Sequence, residues 1–234
     1  MINKNHNFNT NLAKIIYNKF MTIRNETPAD YRTVEELIKK TFWNLYVPGC
    51  SEHHFAHLVR QSEDYIPELD FVLEEDGKII GHIMYVKAKF VATDGTEKEV
   101  LSFGPFTIDP DYQRKGYGRK LLNHSLEAAA KMGYDTVAIW GNPENYVCYG
   151  FKNCKRYNVC IEEGVYPVSL MVKVLDENAF LAEGKTWKYV ESSAHGYDGT
   201  GFEEFDSTFE QMEKGYSYTQ ELFYIYCRSN VVRD

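Results

Sequence analysis

The chain reads as a mixed α/β protein, one largely antiparallel sheet with helices on both faces. Three observations predict this. A run of strand-like segments joined by Asp-Gly turns fills residues 69–108. An amphipathic helical pattern follows at 121–132, and a short β-branched strand after it at 135–140. A strand, a helix and a strand in that order make a crossover with two parallel strands.

Taken in order, Met21-Thr22-Ile23-Arg24 opens the sheet, and residues 1–20 stand apart as an Asn-rich extension, disordered or a short helix. Thr27-Pro28-Ala29-Asp30 has the form of a helix start, with Thr27 as N-cap and Pro28 at the first helical position. Val34, Leu37, Ile38 and Phe42 follow at helical spacing, and Pro48-Gly49 ends the run. A second helix is expected over Ser51 to Gln61 with Phe55, Leu58 and Val59 inward. Leu69 to Leu73, Lys78 to Val91 and Lys98 to Ile108 form a meander, turned at Asp76-Gly77 and Asp94-Gly95. Leu121, Leu122, Ser125, Leu126, Ala129 and Met132 share one helical face, which Gly133 closes. Asp135 to Trp140 is the strand after it, and Val165 to Leu175 reads as another.

With 234 residues, the chain is long enough for a core that needs no disulfide or metal. No run approaches the ~18 apolar residues of a membrane span. The balance of 26 Lys and Arg against 34 Asp and Glu argues against a nucleic-acid binder. Five cysteines, odd in number and without a Cys-x-x-Cys pair, read as free thiols in a reducing compartment. No apolar leader of adequate length precedes Met21, so the expected address is the cytoplasm. Residues 176–234 carry 12 acidic against 5 basic residues and 12 of the 35 aromatics. So aromatic a segment is no disordered acidic tail. It is expected to pack on the main domain or on a second subunit of a homodimer.

The chemistry concentrates in one stretch. After the strand ending at Ile108 come Asp109-Pro110-Asp111-Tyr112, then Gln113-Arg114-Lys115-Gly116-Tyr117-Gly118-Arg119-Lys120, then the helix. A helix N-terminus offers unpaired N–H groups and partial positive charge. Gly116 and Gly118 let an anion approach that backbone. Arg119 and Lys120 stand at the end of the helix where the dipole disfavours cations, an arrangement that a bound polyphosphate reverses. A P-loop is excluded because Gly-Lys-Ser/Thr is missing. A dinucleotide fingerprint is excluded because its third glycine is Leu121.

Gln113-Arg114-Lys115-Gly116-Tyr117-Gly118 resembles the Q/R-x-x-G-x-G/A motif of the GNAT acyl-CoA N-acetyltransferases. Gly104-Pro105, Asn142-Pro143 and Tyr146-Val147-Cys148-Tyr149-Gly150-Phe151 fit the small bacterial branch of that superfamily. The resemblance covers residues 21–175 and implies a GNAT fold whose parallel fourth and fifth strands splay apart. It implies acetyl-CoA as cosubstrate, with Phe106, Thr107 and Ile108 pairing with its pantetheine arm. The backbone from Arg114 to Gly118 would hold the pyrophosphate, flanked by Gln113 and Arg119. Trp140, Gly141 and Asn142 would end the fifth strand at the gap, with Asn142 and Asn145 bonding the cofactor or capping a helix. Tyr146 would face the thioester sulfur as general acid, with Tyr149 as its neighbour and rival. A phenol near pKa ~10 can protonate a departing thiolate near ~8.5.

An acceptor amine must also lose a proton. Glu74 or Glu75, on opposite faces of the second strand, are candidate bases beside His82, and a water chain is the alternative. Ser102 is a candidate on the acceptor side. Cys148 has no evident His partner for an acyl-cysteine route. The implied activity is direct acetyl transfer to a primary amine of a small molecule or peptide. The alternative is a non-catalytic acyl-CoA-binding module of the same fold.

Overall fold

The computed structural model describes residues 20–176 and 184–232. The expected N-terminal extension, apart from Phe20, therefore lies outside the described residues. Strand β1 (Met21–Asn25) leads into helices α1 (Tyr31–Phe42) and α2 (Glu52–Val59). The meander β2 (Phe71–Glu75), β3 (Lys78–Ala92) and β4 (Glu97–Ile108) follows, then α3 (Tyr117–Lys131) and β5 (Thr136–Trp140). Helix α4 (Pro143–Tyr146) and strands β6 (Lys152–Asn153), β7 (Val159–Cys160) and β8 (Leu170–Val174) lead to a C-terminal part. That part holds β9 (Trp187–Val190), α5 (Phe202–Asp206) and α6 (Tyr218–Arg228). The strand order is β1-β2-β3-β4-β5-β8-β6. Along this order neighbours are antiparallel except β4 with β5; off it, β9 pairs antiparallel with β3 and parallel with β7.

Alternation along the strands builds two cores. On one face, Leu121, Leu122 and Leu126 of α3 pack against Ile83, Tyr85, Leu101, Val137 and Ile139. On the other, Val34 and Ile38 of α1 and Val59 of α2 cover Val72, Met84 and Val86. Further along the same face, Phe90, Val100 and Ala138 bury Trp187 and Tyr189 of β9. Helices therefore lie on both faces of a mixed sheet, as the pattern predicts.

Two irregularities shape the centre. Ile83 pairs with Phe106 and Tyr85 with Phe103, so Gly104-Pro105 bulges out of β4 opposite Met84. Pro105 has no N–H for the ladder, which is why the extra residue falls there. β4 and β5 share one register pair, Leu101 with Val137, and separate beyond it. The C-terminal part is woven into this frame. β9 pairs with β3 from Lys89 to Ala92. Asp206 of α5 accepts from Lys39 of α1 at 2.5 Å and lies 2.9 Å from His53 Nε2 of α2. Helix α6 starts at the segment just after α1, where Thr219 donates to Leu45 O (2.6 Å) and Phe223 stacks on Tyr46 (4.7 Å). Its far end reaches the approach to β8, where Val168 N donates to Ser229 O. No helix among the described residues is long and apolar enough to cross a membrane.

Several expectations are corrected. Asp30, not Thr27, precedes the first helix, because Thr27 and Arg24 both donate to the Asp30 carboxylate and tie 27–30 into a turn. In α2 the buried residues include His53 and His54, while Leu58 is exposed, since the aromatic α5 gives the histidines a face to pack on. Met132 is exposed at the end of α3. The strand expected from Val165 begins at Leu170, because Tyr166, Pro167 and Val168 pair with residues 229–231 instead.

Candidate active site

The loop between β4 and α3 is tied from within. Asp109, nearly buried, accepts from the Asp111 amide (3.0 Å), Lys40 (2.8 Å) and Lys78 (3.1 Å). Burial alone would push its carboxyl up, but the two ammonium groups hold it below the usual range. Gln113 donates to Ile108 O (2.9 Å) and Lys115 to Asp111 O (2.7 Å). Those two side chains brace the loop; the ligand face is left to backbone.

Gly116 caps α3 with φ +88°, which favours glycine, and a Cβ there would meet nothing within 4 Å. No side chain caps the helix and no acid sits in its first turn. The first-turn N–H groups of α3 thus face an open, cationic approach through Arg114, Arg119 and Lys120, all exposed. A Cβ on Gly118 would lie 3.5 Å from Phe106, so the cradle is walled by the strand before it. Tyr117 donates its hydroxyl to Glu75 of β2. This set of donors suits a pyrophosphate.

Tyr146 closes α4 beside the gap. Its ring packs 5.8 Å from Phe103 and 5.7 Å from Phe151, centroid to centroid. Burial, with the phenols of Tyr46, Tyr85 and Tyr149 adding to it, pushes its pKa up. It stays a protonated donor at neutral pH. Gly141 is pressed against that ring. Tyr149 lies outside, its ring 5.8 Å from the Arg119 guanidinium and its carbonyl accepting from Lys173 at 2.8 Å. Asn142 Oδ1 accepts from Glu144 N at 3.0 Å, so its side chain caps α4. Asn145 is exposed, and its carbonyl takes the Cys148 thiol at 3.8 Å.

The carboxylates expected as bases are engaged elsewhere. Glu74 accepts from Arg24 at 2.5 Å, and Arg24 also holds Asp30. Glu75 is buried and takes the Tyr117 hydroxyl. Both end β2, which β3 separates from β4 and the gap. His82 is fully buried with Nε2 2.9 Å from Asp70. Asp70, Glu26 and His82 could gather round an ion. Arg60 already holds Glu26 with two N–H groups and Tyr65 holds Asp70, so the cluster is an ion-paired polar core. His82 Nδ1 and the hydroxyl of Thr107, its cross-strand partner, are buried without partners among the described residues. Thr107 therefore turns its side chain toward α1 and α2 and offers the gap only its backbone. Phe106 and Ile108 turn to the α3 core. Ser102, 2% exposed, lies just past the last β4–β5 pair.

Sequence reasoning did not find Tyr189 and Glu191, which meet Trp140 at the other lip of the gap. Tyr189 lies on β9 and Glu191 just past its end, and nothing local announces their partner.

The acetyltransferase (GNAT) family pattern matches residues 38–151. The uncharacterized N-acetyltransferase YhbS of Escherichia coli is 27% identical over 140 residues, 59% of this chain and 78% of that protein. The ribosomal protein bS18-alanine N-acetyltransferase of E. coli is 31% identical over 120 residues, 51% of this chain and 72% of that enzyme. Among solved structures, YhbS from E. coli in complex with CoA superposes with a TM-score of 0.64 at 23% identity, covering 76% of this chain and 93% of that one. A GNAT family acetyltransferase from Brucella melitensis in complex with acetyl-CoA gives 0.58 at 21% identity, covering 75% and 98%.

Proposed function

The chain belongs to the GNAT acetyltransferase family, and on that premise we propose that it moves the acetyl group of acetyl-CoA to a primary amine of a small molecule or peptide. One observation supports the reading above the others: α3 begins at an open, uncapped N-terminus, β4 and β5 share a single register pair, and Tyr146 packs on Phe103 of β4. The relatives solved with CoA and acetyl-CoA support the choice of cosubstrate.

In this reading the backbone of residues 114–118 seats the pyrophosphate, with Arg119 beside it. The exposed backbone of Phe106 to Ile108 bonds the pantetheine arm. The neutral amine nitrogen forms a bond to the thioester carbonyl carbon, and the carbonyl electrons move to oxygen. A backbone N–H beside the Gly104-Pro105 bulge stabilises that oxyanion. As the carbonyl re-forms, the C–S bond breaks and Tyr146 gives its proton to the departing thiolate. The amine's surplus proton leaves through water, because Glu74 and Glu75 are occupied by Arg24 and Tyr117. A lysine-like amine is neutral about once in ~2500 molecules at pH 7, a penalty near ~4.6 kcal/mol. An acceptor site that desolvates the amine offsets part of it.

The test is release of free CoA thiol from acetyl-CoA across a panel of amines and peptides, beside calorimetry with CoA. Binding with turnover supports the enzyme. Binding without turnover on any amine favours the acyl-CoA-binding module, and absence of CoA binding removes both.

A further inference from the structure

The gap has a second lip, on the face opposite α3. Val137 and Ile139 of β5 belong to the α3 core and Ala138 to the other side, so alternation turns Trp140 toward the face that carries the side chains of Trp187 and Tyr189. There Trp140 Nε1 donates to the carboxylate of Glu191, and the Tyr189 ring lies 6.3 Å from the indole, tilted by 59°. Trp140 is 40% exposed and Glu191 is exposed, so both are reachable from solvent. Tyr189 is 4% exposed, and its buried hydroxyl, near Ser102, has no hydrogen-bond partner among the described residues. A buried hydroxyl left unpaired is unfavourable, and a polar ligand atom arriving through the gap would satisfy it.

Carboxylates gather behind this lip, where Lys87 acts on Asp64. Glu191 and Asp64 both act on His195, which stacks on Phe55 at 5.5 Å. Burial outweighs the two carboxylates and holds His195 below the usual histidine range, so it adds no positive charge at neutral pH. Arg114, Arg119 and Lys120 stand at the start of α3, and Lys173 is held by the Tyr149 carbonyl. A carboxylate bonded to an indole that itself lies against a phenol, and in no ion pair among the described residues, is a seat for an ammonium group.

We infer that the acceptor is a dicationic alkyl diamine, whose distal ammonium sits on Glu191 against Trp140 and Tyr189 while its other amine, neutral, enters the gap. This rests on the transferase reading and adds the substrate class. It also assigns a role to the C-terminal part: β9 supplies half of the acceptor seat. Both Tyr189 and Glu191 lie beyond the segment that matches the family pattern.

The experiment compares 1,4-diaminobutane with butylamine, which has the same chain and lacks the second charge, in the full-length protein and in Glu191→Gln. The expected wild-type preference in kcat/KM for the diamine is about tenfold or more, and Glu191→Gln brings it close to one, mainly through KM. Equal kcat/KM for the two amines in the wild type, or a preference that survives in Glu191→Gln, overturns the proposal. If neither amine is acetylated, the transferase reading is what has failed, and calorimetry of 1,4-diaminobutane on the CoA-loaded protein decides the seat independently. Binding that Glu191→Gln removes supports it, and no binding overturns it.

Discussion

The ring of Tyr146 occupies the space where a side chain at Gly141 would stand. A Cβ built on Gly141 lies 2.4 Å from Tyr146 Cε2 and 2.9 Å from Cδ2. No real contact is that short, so even one methyl group at 141 must move the phenol. Gly141→Ala is therefore expected to lower kcat by about tenfold or more, since displacement of an acting group by ~1 Å is felt that strongly. Affinity for CoA, set at the far end of the gap, should hold. Paired kinetics and calorimetry check this, and unchanged kcat would mean that the position of the ring is immaterial.

Tyr146→Phe keeps the packing against Phe103 and Phe151 and removes only the hydroxyl. Turnover should fall by about 10²- to 10⁴-fold, the usual contribution of a general acid. Acetyl-CoA affinity should change little. Normal turnover would move the proton donor to Tyr149 or to water.

Gly118 faces Phe106 and Ile108 at 3.5 and 3.6 Å, ordinary contact distances. Gly118→Ala fits there, whereas Gly118→Asp sets a carboxylate in the path of a pyrophosphate. The thermal shift given by acetyl-CoA should survive the first change and vanish in the second. A full shift with Gly118→Asp would contradict the cradle.

The glycine turn and helix start at 116–120 are legible in the sequence because their signals are local. Gly116, Gly118 and the basic residues stand within a few positions of one another, and the turn residues Asp109 and Pro110 precede them. The strands of the meander were legible for the same reason, through Asp76-Gly77 and Asp94-Gly95. What stayed hidden depends on distant partners. Asp30 displaces Thr27 because Arg24 reaches it. Asn142 was readable as cap or ligand, and only its geometry to Glu144 decides. Nothing near Glu74 and Glu75 in the sequence announces the Arg24 and Tyr117 that take their carboxylates. His53 meets Asp206 across 153 positions, and Glu191 meets Trp140 across 51. No periodicity encodes such pairs.

The His53–Asp206 contact also predicts how stability depends on pH. Burial lowers the His53 pKa to about 4, although Asp206 beside it works in the opposite sense. In the unfolded chain the group titrates near ~6.5. The unfolded state thus takes up the proton first, and stability is lost as pH falls from about 6.5 to about 4. Below that range the contribution is gone. Thermal melts between pH 8 and 4 should show this decline, and His53→Gln, which does not titrate, should flatten it. An equal decline in His53→Gln would assign the effect to other groups.

Strand β9 lies along the same edge of β3 that β2 occupies nearer the start of that strand. Without residues after 176, the amides and carbonyls of Lys89 to Ala92 would face water as an open ladder above Phe90. Bare rungs of that kind pair with those of another molecule. A trimmed protein that kept every cofactor contact would therefore be prone to aggregate, so the tail doubles as a guard on solubility.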